Sequence, residues 1–553
     1  MLCKLKSIQE RKEEEKISLE KLRKRRKGRN GKMKDYITII GGGLAGTEAA
    51  YQIARRGIKV KLYEMKPVKF SPAHSNKNLA EIVCSNSFKS NLITNACGLL
   101  KEELRRLDSL LIKIADETSV PAGQALAVDR EIFSAKVTNE IKKNSLIEII
   151  NEEVTSIDEL AKDGIVIIAT GPLTSEALAK QIQKITGQDK LYFYDAAAPI
   201  ISKESIDFSI AFYGDRYSQE KKKEESLDEW KKRLDSEKEE QSYINLPLNK
   251  EEYENFWNNL VNAQVVNLHE FEKREIFEGC MPIEIMAKRG IDTLRYGPLK
   301  PVGFDDPRTG KRPYAIVQLR QDDKQATMYN MVGFQTNLKY GEQKRVFSMI
   351  PGLENADFIK YGVMHRNTYI NSTELLDETY NLKSNNNIYF AGQITGVEGY
   401  VESISSGMVA GLNAILKFKA VYGIKDDNFK NMQDRKDTVL ESDANGNDVK
   451  KDNENMYSKI AFPEDTVIGA LAKYISTPNS KFQPMNANFG ILPQLQGKKI
   501  KDKKERYKKL AERSLRNLKK DLTKIINWKY QRVTEKSWIF AKKLKNGKIY
   551  VIM

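Results

Sequence analysis

Residues 36–64 of this 553-residue chain read YITIIGGGLAGTEAAYQIARRGIKVKLYE. The run 36–40 is short, apolar and β-branched, which is typical of a buried strand. A helix is predicted over residues 46–55, and residues 58–64 form a second strand-like run. A strand, a glycine turn, a helix and a second strand in this order predict a βαβ unit with parallel strands.

The turn of this unit follows the pattern G-x-G-x-x-G at Gly41, Gly43 and Gly46. Glycines there permit a tight turn, a close approach of the backbone to a pyrophosphate, and close packing of the helix on the strand. The free N–H groups of the helix N-terminus favour anionic phosphates. Glu64 ends the second strand, where a carboxylate accepts hydrogen bonds from ribose hydroxyls, so FAD or NAD is favoured over NADP. The predicted cofactor-binding residues of this unit are Gly41, Gly42, Gly43, Leu44, Ala45, Gly46 and Glu64.

Glycines also follow two later strand-like runs, at 165–169 and 386–390. The later run continues into residues 391–400 (AGQITGVEGY) and then into a helix of small residues predicted at 403–416. Carboxyl ends of parallel strands meet at one edge of a sheet, so these glycines are predicted to return to the first turn. A second glycine unit of this kind favours FAD over NAD. It adds the candidate cofactor-binding residues Thr170, Gly171, Gly392, Gln393, Gly396 and Gly399.

The alternation of strands and helices predicts an α/β fold. We expect a three-layer Rossmann-like FAD-binding domain with an inserted α/β substrate domain. Two charge-dense or polar segments, 218–241 and 425–457, are predicted to be a surface insertion with one exposed helix and a mobile loop. The expected divisions are a basic N-terminal extension at 1–34, the FAD-binding domain at 36–203 and 376–495, the insertion domain at 204–375, and a basic C-terminal tail at 496–553.

The composition excludes several classes of protein. The four cysteines, Cys3, Cys84, Cys97 and Cys280, form no C-x-x-C pair, and the chain has three histidines. A disulfide framework and a zinc finger are therefore disfavoured, and we expect no metal. No run approaches 18 uncharged apolar residues, and no apolar leader is visible at the N-terminus. We expect a cytoplasmic protein without a membrane partner.

Positive charge is concentrated at the two ends of the chain. Residues 1–34 hold 14 Lys/Arg and 5 Asp/Glu, and residues 496–553 hold 20 Lys/Arg and 5 Asp/Glu, whereas the body between them is mildly acidic. Basic ends suit a polyanion such as RNA, because each neutralised phosphate releases counterions. Solvated charged helices are the alternative, and aromatic residues among the C-terminal charges favour RNA at that end.

Two cysteines lie in settings that suit a nucleophile. Cys280 precedes Pro282 and Glu284, which suit the first turn of a helix, and a helix N-terminus favours the thiolate. Cys84 lies in the polar run VCSNS between apolar segments. Taken alone, either cysteine is more simply explained as a small buried apolar residue.

A set of longer motifs resembles one family across about residues 35–515. The family is that of the bacterial folate- and FAD-dependent tRNA (uracil-5-)-methyltransferases, TrmFO. The motifs that carry the resemblance are GGGLAGTEAA, AEIVCSNSFKSN, VPAGQALAVDR, YFYDAAAPI, FEGCMPIEIMAKRG, GKRPYAIVQLRQDD, YGVMHRNTYINS, FAGQITGVEGYVES and FQPMNANFG.

The resemblance implies an enzyme that methylates uracil C5 in RNA, most simply the T-loop uridine of tRNA. Methylenetetrahydrofolate would be the carbon donor, FAD the carrier and NAD(P)H the reductant. Cys84 and Cys280 match the family's functional cysteines, one adding to C6 and one assisting. Tyr400 matches an aromatic residue beside the flavin, and His365 and Arg366 are candidates for binding folate or RNA phosphate.

Three alternatives remain open at this point. The basic N-terminal tail, the two polar segments and the stretch 528–553 are not family features, and they are compatible with 23S-type ribosomal RNA as the substrate. A small-molecule flavin oxidoreductase would use the same glycines but needs neither two separate thiols nor basic ends. A flavin-carrying RNA-binding protein without catalysis would not need Cys84 and Cys280.

Overall fold

A computed structural model of the chain describes residues 34–71, 73–188, 191–217, 221–222, 224–236, 243–266, 281–422, 459–480, 482–497 and 500–537. Within these ranges only the backbone is described for residues 191–195, 227, 235, 365–366 and 521–537. The predictions for residues 1–33, 425–457 and 538–553 therefore lie outside the described residues.

The strands are β1 Tyr36–Ile40, β2 Lys59–Tyr63, β3 Ser87–Ser90, β4 Ser119–Val120, β5 Ala125–Val128, β6 Ile147–Ile150, β7 Ile165–Ile168, β8 Leu191–Ala196, β9 Ile200–Ser202, β10 Phe212–Tyr213, β11 Tyr243–Leu248, β12 Ala315–Gln321, β13 Met328–Met331, β14 Phe358–Lys360, β15 Met364–Tyr369, β16 Asn381–Leu382 and β17 Asn385–Phe390. The α-helices are α1 Leu44–Ala54, α2 Ala96–Arg106, α3 Leu110–Glu117, α4 Arg130–Lys143, α5 Asp158–Lys162, α6 Glu176–Thr186, α7 Leu227–Ser236, α8 Lys250–Val261, α9 Ile283–Lys288, α10 Thr293–Tyr296, α11 Tyr340–Phe347, α12 Ser372–Leu375, α13 Tyr400–Val421, α14 Val467–Ser476 and α15 Lys503–Ser537.

The first sheet confirms the predicted parallel α/β architecture. Its strand order is β16-β17-β7-β1-β2-β6, and every pair is parallel except β16 with β17. The central strands are continuous apolar runs, and all four residues of β7 are buried, as expected of parallel strands covered on both faces. Strands β1, β7 and β17 end side by side, which brings Gly41, Thr170 and Gly392 to one edge.

Helix α13 lies against α1 beneath this edge, and the contact depends on small residues. A Cβ added at Gly407 would lie 2.2 Å from the Ala45 carbonyl oxygen, and one at Gly411 would lie 3.1 Å from the Ala49 Cα. The two backbones therefore approach as closely as helices can. This packing fixes the N-termini of both helices on the same side of the sheet.

A second unit has its own sheet and its own apolar core. The sheet is antiparallel, in the order β10-β11-β12-β13-β9-β14, and helices α8, α9 and α11 contribute buried residues to the core beside it. Strand β9 belongs to this sheet, although residues up to 203 were assigned to the first domain. The predicted boundaries at 203–204 and 375–376 thus differ from the sheet topology.

The chain passes between the two units through a two-stranded antiparallel ribbon. Strand β8 leads into the second unit and β15 leads out of it, with Ala196 paired to Met364. The N–H of Ala197 donates to the Val363 carbonyl at 2.9 Å, so the ribbon closes directly beneath the second unit. If the ribbon is taken as the boundary, the second unit extends from about residue 198 to residue 362.

Apolar residues recur at helical spacing through residues 99–115, but this stretch belongs to two separate helices, α2 and α3. Asp108 has a φ of +57° between them, and the Ser109 hydroxyl caps the second helix by accepting from the Ile112 N–H. The segment 218–241 contains the expected helix, α7, but Trp230 on that helix is fully buried. Among the described residues no helix is both long and apolar enough to cross a membrane.

Candidate active site

A glycine-lined cavity lies at the carboxyl edge of the first sheet. Its walls include residues 40–45 after β1, residues 63–66 after β2, residues 169–175 after β7, and Gly392 and Gln393 after β17. It encloses about 1130 Å³, a volume that includes space open to solvent. The site is where open α/β sheets bind their ligands, outside the carboxyl ends of the strands.

The three glycines of the first turn occupy different surroundings. Cβ atoms built at Gly41 and Gly46 would lie 2.5 Å from the Ala169 oxygen and 1.9 Å from the Gly41 oxygen, so both positions are closed by the protein. A Cβ at Gly43 would meet nothing within 4 Å, and Gly43 is the N-cap of α1. The open side of the turn therefore faces the cavity, where a diphosphate can approach the backbone and the helix N-terminus.

Glu64 supports this turn as well as lining the cavity. One carboxylate oxygen accepts from the Gly42 N–H at 2.8 Å and the other accepts from the Lys66 N–H at 3.0 Å. Each carboxylate oxygen has a further lone pair, so Glu64 can still accept from ribose hydroxyls. The residues present fit the adenosine half of a dinucleotide.

A second, thiol-lined cavity of about 1080 Å³ adjoins the first, and this estimate also includes open solvent. Cys84, Arg320 and Asn367 lie in its walls, and they come from the first unit, the second unit and the ribbon respectively. Tyr400 and Gln393 line both cavities. The two cavities therefore meet at Tyr400.

Cys84 is fixed at this junction by its backbone. The Cys84 and Ser85 N–H groups donate to the Tyr400 hydroxyl oxygen at 3.1 and 3.0 Å. The Cys84 thiol donates to the Ala196 carbonyl at 3.5 Å, and it is only partly buried. The Tyr400 ring packs against Phe88 with centroids 5.5 Å apart. The Cys84 thiol therefore lies in the wall of the thiol-lined cavity, next to a residue that also lines the glycine-lined cavity.

Arg320 reaches across from the second unit and holds the segment after Cys84. Its Nη2 donates to the Ser85 hydroxyl at 2.7 Å and its Nε donates to the Asn86 amide oxygen at 2.9 Å. Burial lowers the pKa of this guanidinium. A neighbouring contact between the units is the ion pair of Arg130 with Asp322 at 3.0 Å. Sequence reasoning missed both arginines, because no local pattern marks an arginine that becomes buried at an interface.

Cys97 is a core residue. It is buried, and burial raises the pKa of its thiol to about 11. Lys101 lies beside it and donates to the carbonyls of Phe88 and Ser90, both at 2.7 Å. The Cys97 thiol stays protonated at neutral pH and is not a nucleophile.

The remaining predicted site residues are placed only in part. Thr170 and Gly171 line the glycine-lined cavity, and Gly399 lines the thiol-lined one. Gly396 lines neither of them, because a Cβ there would meet the Phe482 ring at 2.4 Å, so its role is packing. His365 and Arg366 lie in β15, but their side chains are outside the described residues.

Cys280 also lies outside the described residues, immediately before α9. The helix begins at Ile283, with Pro282 as its N-cap, one residue later than predicted. Glu284 is buried, and its carboxylate accepts from the Asn337 N–H at 2.9 Å. This contact lies within the second unit. Among the described residues no group of three or more His, Cys, Asp or Glu could hold a metal ion.

The fold and the glycine-lined cavity define an α/β dinucleotide-binding protein with an inserted second unit. A solved structure of Aquifex aeolicus GidA has the same fold, with a TM-score of 0.54 and 17% identity, covering 89% of this chain and 77% of that one. The family described as Glucose inhibited division protein A matches residues 36–421.

Relatives with higher sequence identity narrow the assignment to one family. A protein of Acetivibrio thermocellus named Methylenetetrahydrofolate--tRNA-(uracil-5-)-methyltransferase TrmFO is 55% identical over 493 residues, 89% of this chain and all of that one. A protein of the same name from Staphylococcus carnosus is 52% identical over 87% of this chain and 97% of its own length. The chain belongs to the TrmFO family.

Proposed function

We propose that this protein transfers a one-carbon unit from methylenetetrahydrofolate to C5 of a uracil in tRNA, giving 5-methyluridine. The observation that carries the proposal is that Cys84 lines the thiol-lined cavity while its N–H is bonded to Tyr400, which lines both cavities. One cavity suits a dinucleotide, and the other is large enough for a base beside a pterin. The names of the relatives state the same donor and the same base for those proteins.

FAD is the cofactor in this proposal, and the glycine-lined cavity fits it. Gly43 leaves the open approach for the diphosphate, Glu64 and the turn it supports hold the ribose, and Thr170 and Gly392 close the cavity from the neighbouring strands. When bound, FAD supplies carrier and redox chemistry for the one-carbon unit. The first unit thus carries the cofactor, and the second unit covers the substrate side.

The cysteines make uracil reactive in this proposal. C5 of uracil is a weak nucleophile until a thiolate adds to C6, which forms an S–C6 bond and places the electron pair on the C5–C4–O4 enolate. C5 then bonds to the one-carbon unit. A base removes the C5 proton while the bond from that carbon to its carrier nitrogen breaks, which leaves an exocyclic methylene on C5, and hydride addition to this methylene expels the thiolate from C6. Cys84 and Cys280 share the roles of nucleophile and assisting group. Converting the methylene carbon to a methyl group takes a hydride equivalent, and NAD(P)H is its proposed source.

Helix α15 offers a surface for the RNA backbone. One face of this helix is buried and includes Leu510, Ser514 and Leu518. The opposite side is exposed, and its basic residues include Lys508, Lys509 and Arg516. A basic face of this kind attracts phosphates without reading sequence. We also propose a cytoplasmic location, where tRNA and folate are available.

The test is transfer of labelled carbon from methylenetetrahydrofolate to RNA transcripts. With NADPH or NADH and no S-adenosylmethionine, we expect label in 5-methyluridine of a tRNA transcript and none in a large-subunit ribosomal RNA fragment. Label that comes only from S-adenosylmethionine would contradict the chemistry. Label in the ribosomal fragment alone would keep the chemistry and contradict the substrate.

A further inference from the structure

Two buried side chains in the wall of the thiol-lined cavity have hydrogen-bonding atoms without a partner among the described residues. Asn367 on β15 is 1% exposed, and within the described part of the chain neither its amide oxygen nor its amide nitrogen is hydrogen-bonded. Glu402 in the first turn of α13 is also 1% exposed. One of its oxygens accepts from the Ala487 N–H at 2.9 Å, and the other has no partner within the described ranges. Buried polar atoms are nearly always paired, so this wall is suited to a polar ligand that completes the pairing.

The chemistry of Asn367 indicates what kind of ligand edge would fit. A carboxamide presents one acceptor and one donor side by side, so it matches a partner with the same pair in the opposite order. Uracil has such an edge, because N3–H donates and the adjacent C4=O accepts. Two parallel hydrogen bonds of this kind are the usual way in which an amide side chain recognises a base edge.

The ribbon places Asn367 at a suitable distance from Cys84. The Cys84 thiol lies 3.5 Å from the carbonyl oxygen of Ala196, which is paired with Met364 on the neighbouring strand. Asn367 is three residues beyond Met364, or about 10 Å along the strand. In a uracil ring N3 is opposite C6, so a base whose C6 faces Cys84 directs its N3 edge away from the thiol. A pyrimidine ring with one hydrogen bond beyond it spans a gap of this size.

We propose that the Asn367 amide binds the N3–H/C4=O edge of the target uracil and holds C6 toward Cys84. This inference rests on the proposed function, and it assigns Asn367 as a substrate-binding residue. A pterin has a similar lactam edge, so the test must distinguish the base from folate.

The decisive variant is Asn367→Asp, which keeps the shape and removes the donor. Aspartate accepts only, so it repels the uracil C4=O. We expect kcat/KM on a uridine-containing RNA stem-loop to fall about 100-fold or more. The ratio of the Kd for a stem-loop with uridine at the target position to the Kd for one with an abasic site there should rise at least tenfold. The KM for methylenetetrahydrofolate should stay within about twofold of wild type.

Asn330→Asp is the matched control. Asn330 is also buried, and its amide nitrogen has no partner in the part of the chain that the structure describes, but it does not line this cavity. It should leave the ratio unchanged. An equal shift in both variants would overturn the inference, and so would a raised KM for folate with an unchanged base ratio in Asn367→Asp. Loss of the fold would be recognised by circular dichroism.

A measurement on the wild-type protein keeps the inference testable if that variant does not fold. A stem-loop with 3-methyluridine at the target position lacks the N3–H donor, and its Kd should rise at least tenfold. Unchanged binding would overturn the inference. Absence of any folate-dependent methylation by the wild type would instead contradict the proposed function, while the Kd ratios would still test Asn367.

Discussion

The Tyr400 hydroxyl oxygen accepts a hydrogen bond from the Cys84 N–H at 3.1 Å, although the two residues are 316 positions apart in the chain. Tyr400 begins helix α13 at the carboxyl edge of the first sheet, and Cys84 lies in the segment before β3. The contact sets the position of the thiol relative to the glycine-lined cavity, because Tyr400 lines both cavities. The cofactor side and the thiol are therefore positioned by one side chain.

Tyr400→Phe should separate this positioning from ring packing. The ring can still pack on Phe88, but the Cys84 and Ser85 N–H groups lose their acceptor, at a cost of about 1–3 kcal/mol for each group left unpaired. We expect methylation to fall about tenfold or more while bound FAD stays stoichiometric. Tyr253→Phe, which removes a buried hydroxyl from the second unit, is the control and should leave turnover within about twofold. Full activity in Tyr400→Phe would show that the contact is dispensable.

Arg320→Lys should weaken the hydrogen bonds between the second unit and the residues that follow Cys84. Lysine cannot reproduce the planar fork that reaches Ser85 and Asn86. We expect the activation free energy to rise by about 1.5–3 kcal/mol, which lowers kcat roughly 10- to 100-fold. The KM for folate should not change. Arg216→Lys, which affects bonds within the second unit, is the matched control. Equal kinetics in the two variants would argue against a positioning role for Arg320.

Gly43→Val tests the glycine-lined cavity. The position has an ordinary φ of −75° and open space around its Cβ, so valine enters the cavity without strain in the backbone. We expect the purified variant to lose bound FAD, measured by absorbance near 450 nm, on the order of 100-fold in affinity. Gly341→Val, at another glycine with open space around its Cβ, should keep the flavin. Stoichiometric FAD in Gly43→Val would refute the cofactor site.

The thiols can be tested against each other. Cys84→Ala and Cys280→Ala should each lower methylation by about 100-fold or more, because C5 cannot attack until C6 is saturated. Neither substitution should release FAD. Cys97→Ala should retain activity, since its thiol pKa of about 11 keeps it protonated. Labelled-folate transfer to tRNA measures all three variants, and activity equal to wild type in both of the first two would exclude thiol catalysis.

Glu103 predicts a pH dependence of stability. Its carboxylate accepts from the Val467 and Ile468 N–H groups and from Ser514 on α15, and burial raises its pKa from 4.5 to about 7. The folded state therefore holds a proton that the unfolded state releases between pH 4.5 and 7. From this group the free energy of unfolding should fall as the pH rises through that window, by up to about 3 kcal/mol.

Urea unfolding at several pH values measures this effect. Glu103→Gln should remove this component of the slope, whereas Glu102→Gln on the same helix should keep it. A slope that is the same in wild type and in Glu103→Gln would mean that the carboxylate does not titrate in this window.

The sequence predicted the first βαβ unit and its glycine turn correctly. The first glycine turn could be predicted because the βαβ pattern spans only 29 residues and a steric requirement explains each glycine of the turn. The break between α2 and α3 was missed, since apolar spacing continues through Asp108 and only its φ of +57° ends the helix. The sequence did not predict the thiol-lined cavity, because Cys84, Arg320 and Asn367 come together only when the second unit has folded.

The β8/β15 ribbon has a consequence for how such a protein can diversify. Because the chain leaves and rejoins the first unit on paired neighbouring strands, the second unit is a long loop whose ends are already held together. Closing such a loop depends only weakly on its length. Substrate-facing elements can then be lengthened, shortened or exchanged during evolution while the strand edge that holds the cofactor keeps its geometry. The extra helix α7 lies within this part of the chain, where added sequence disturbs the first sheet least.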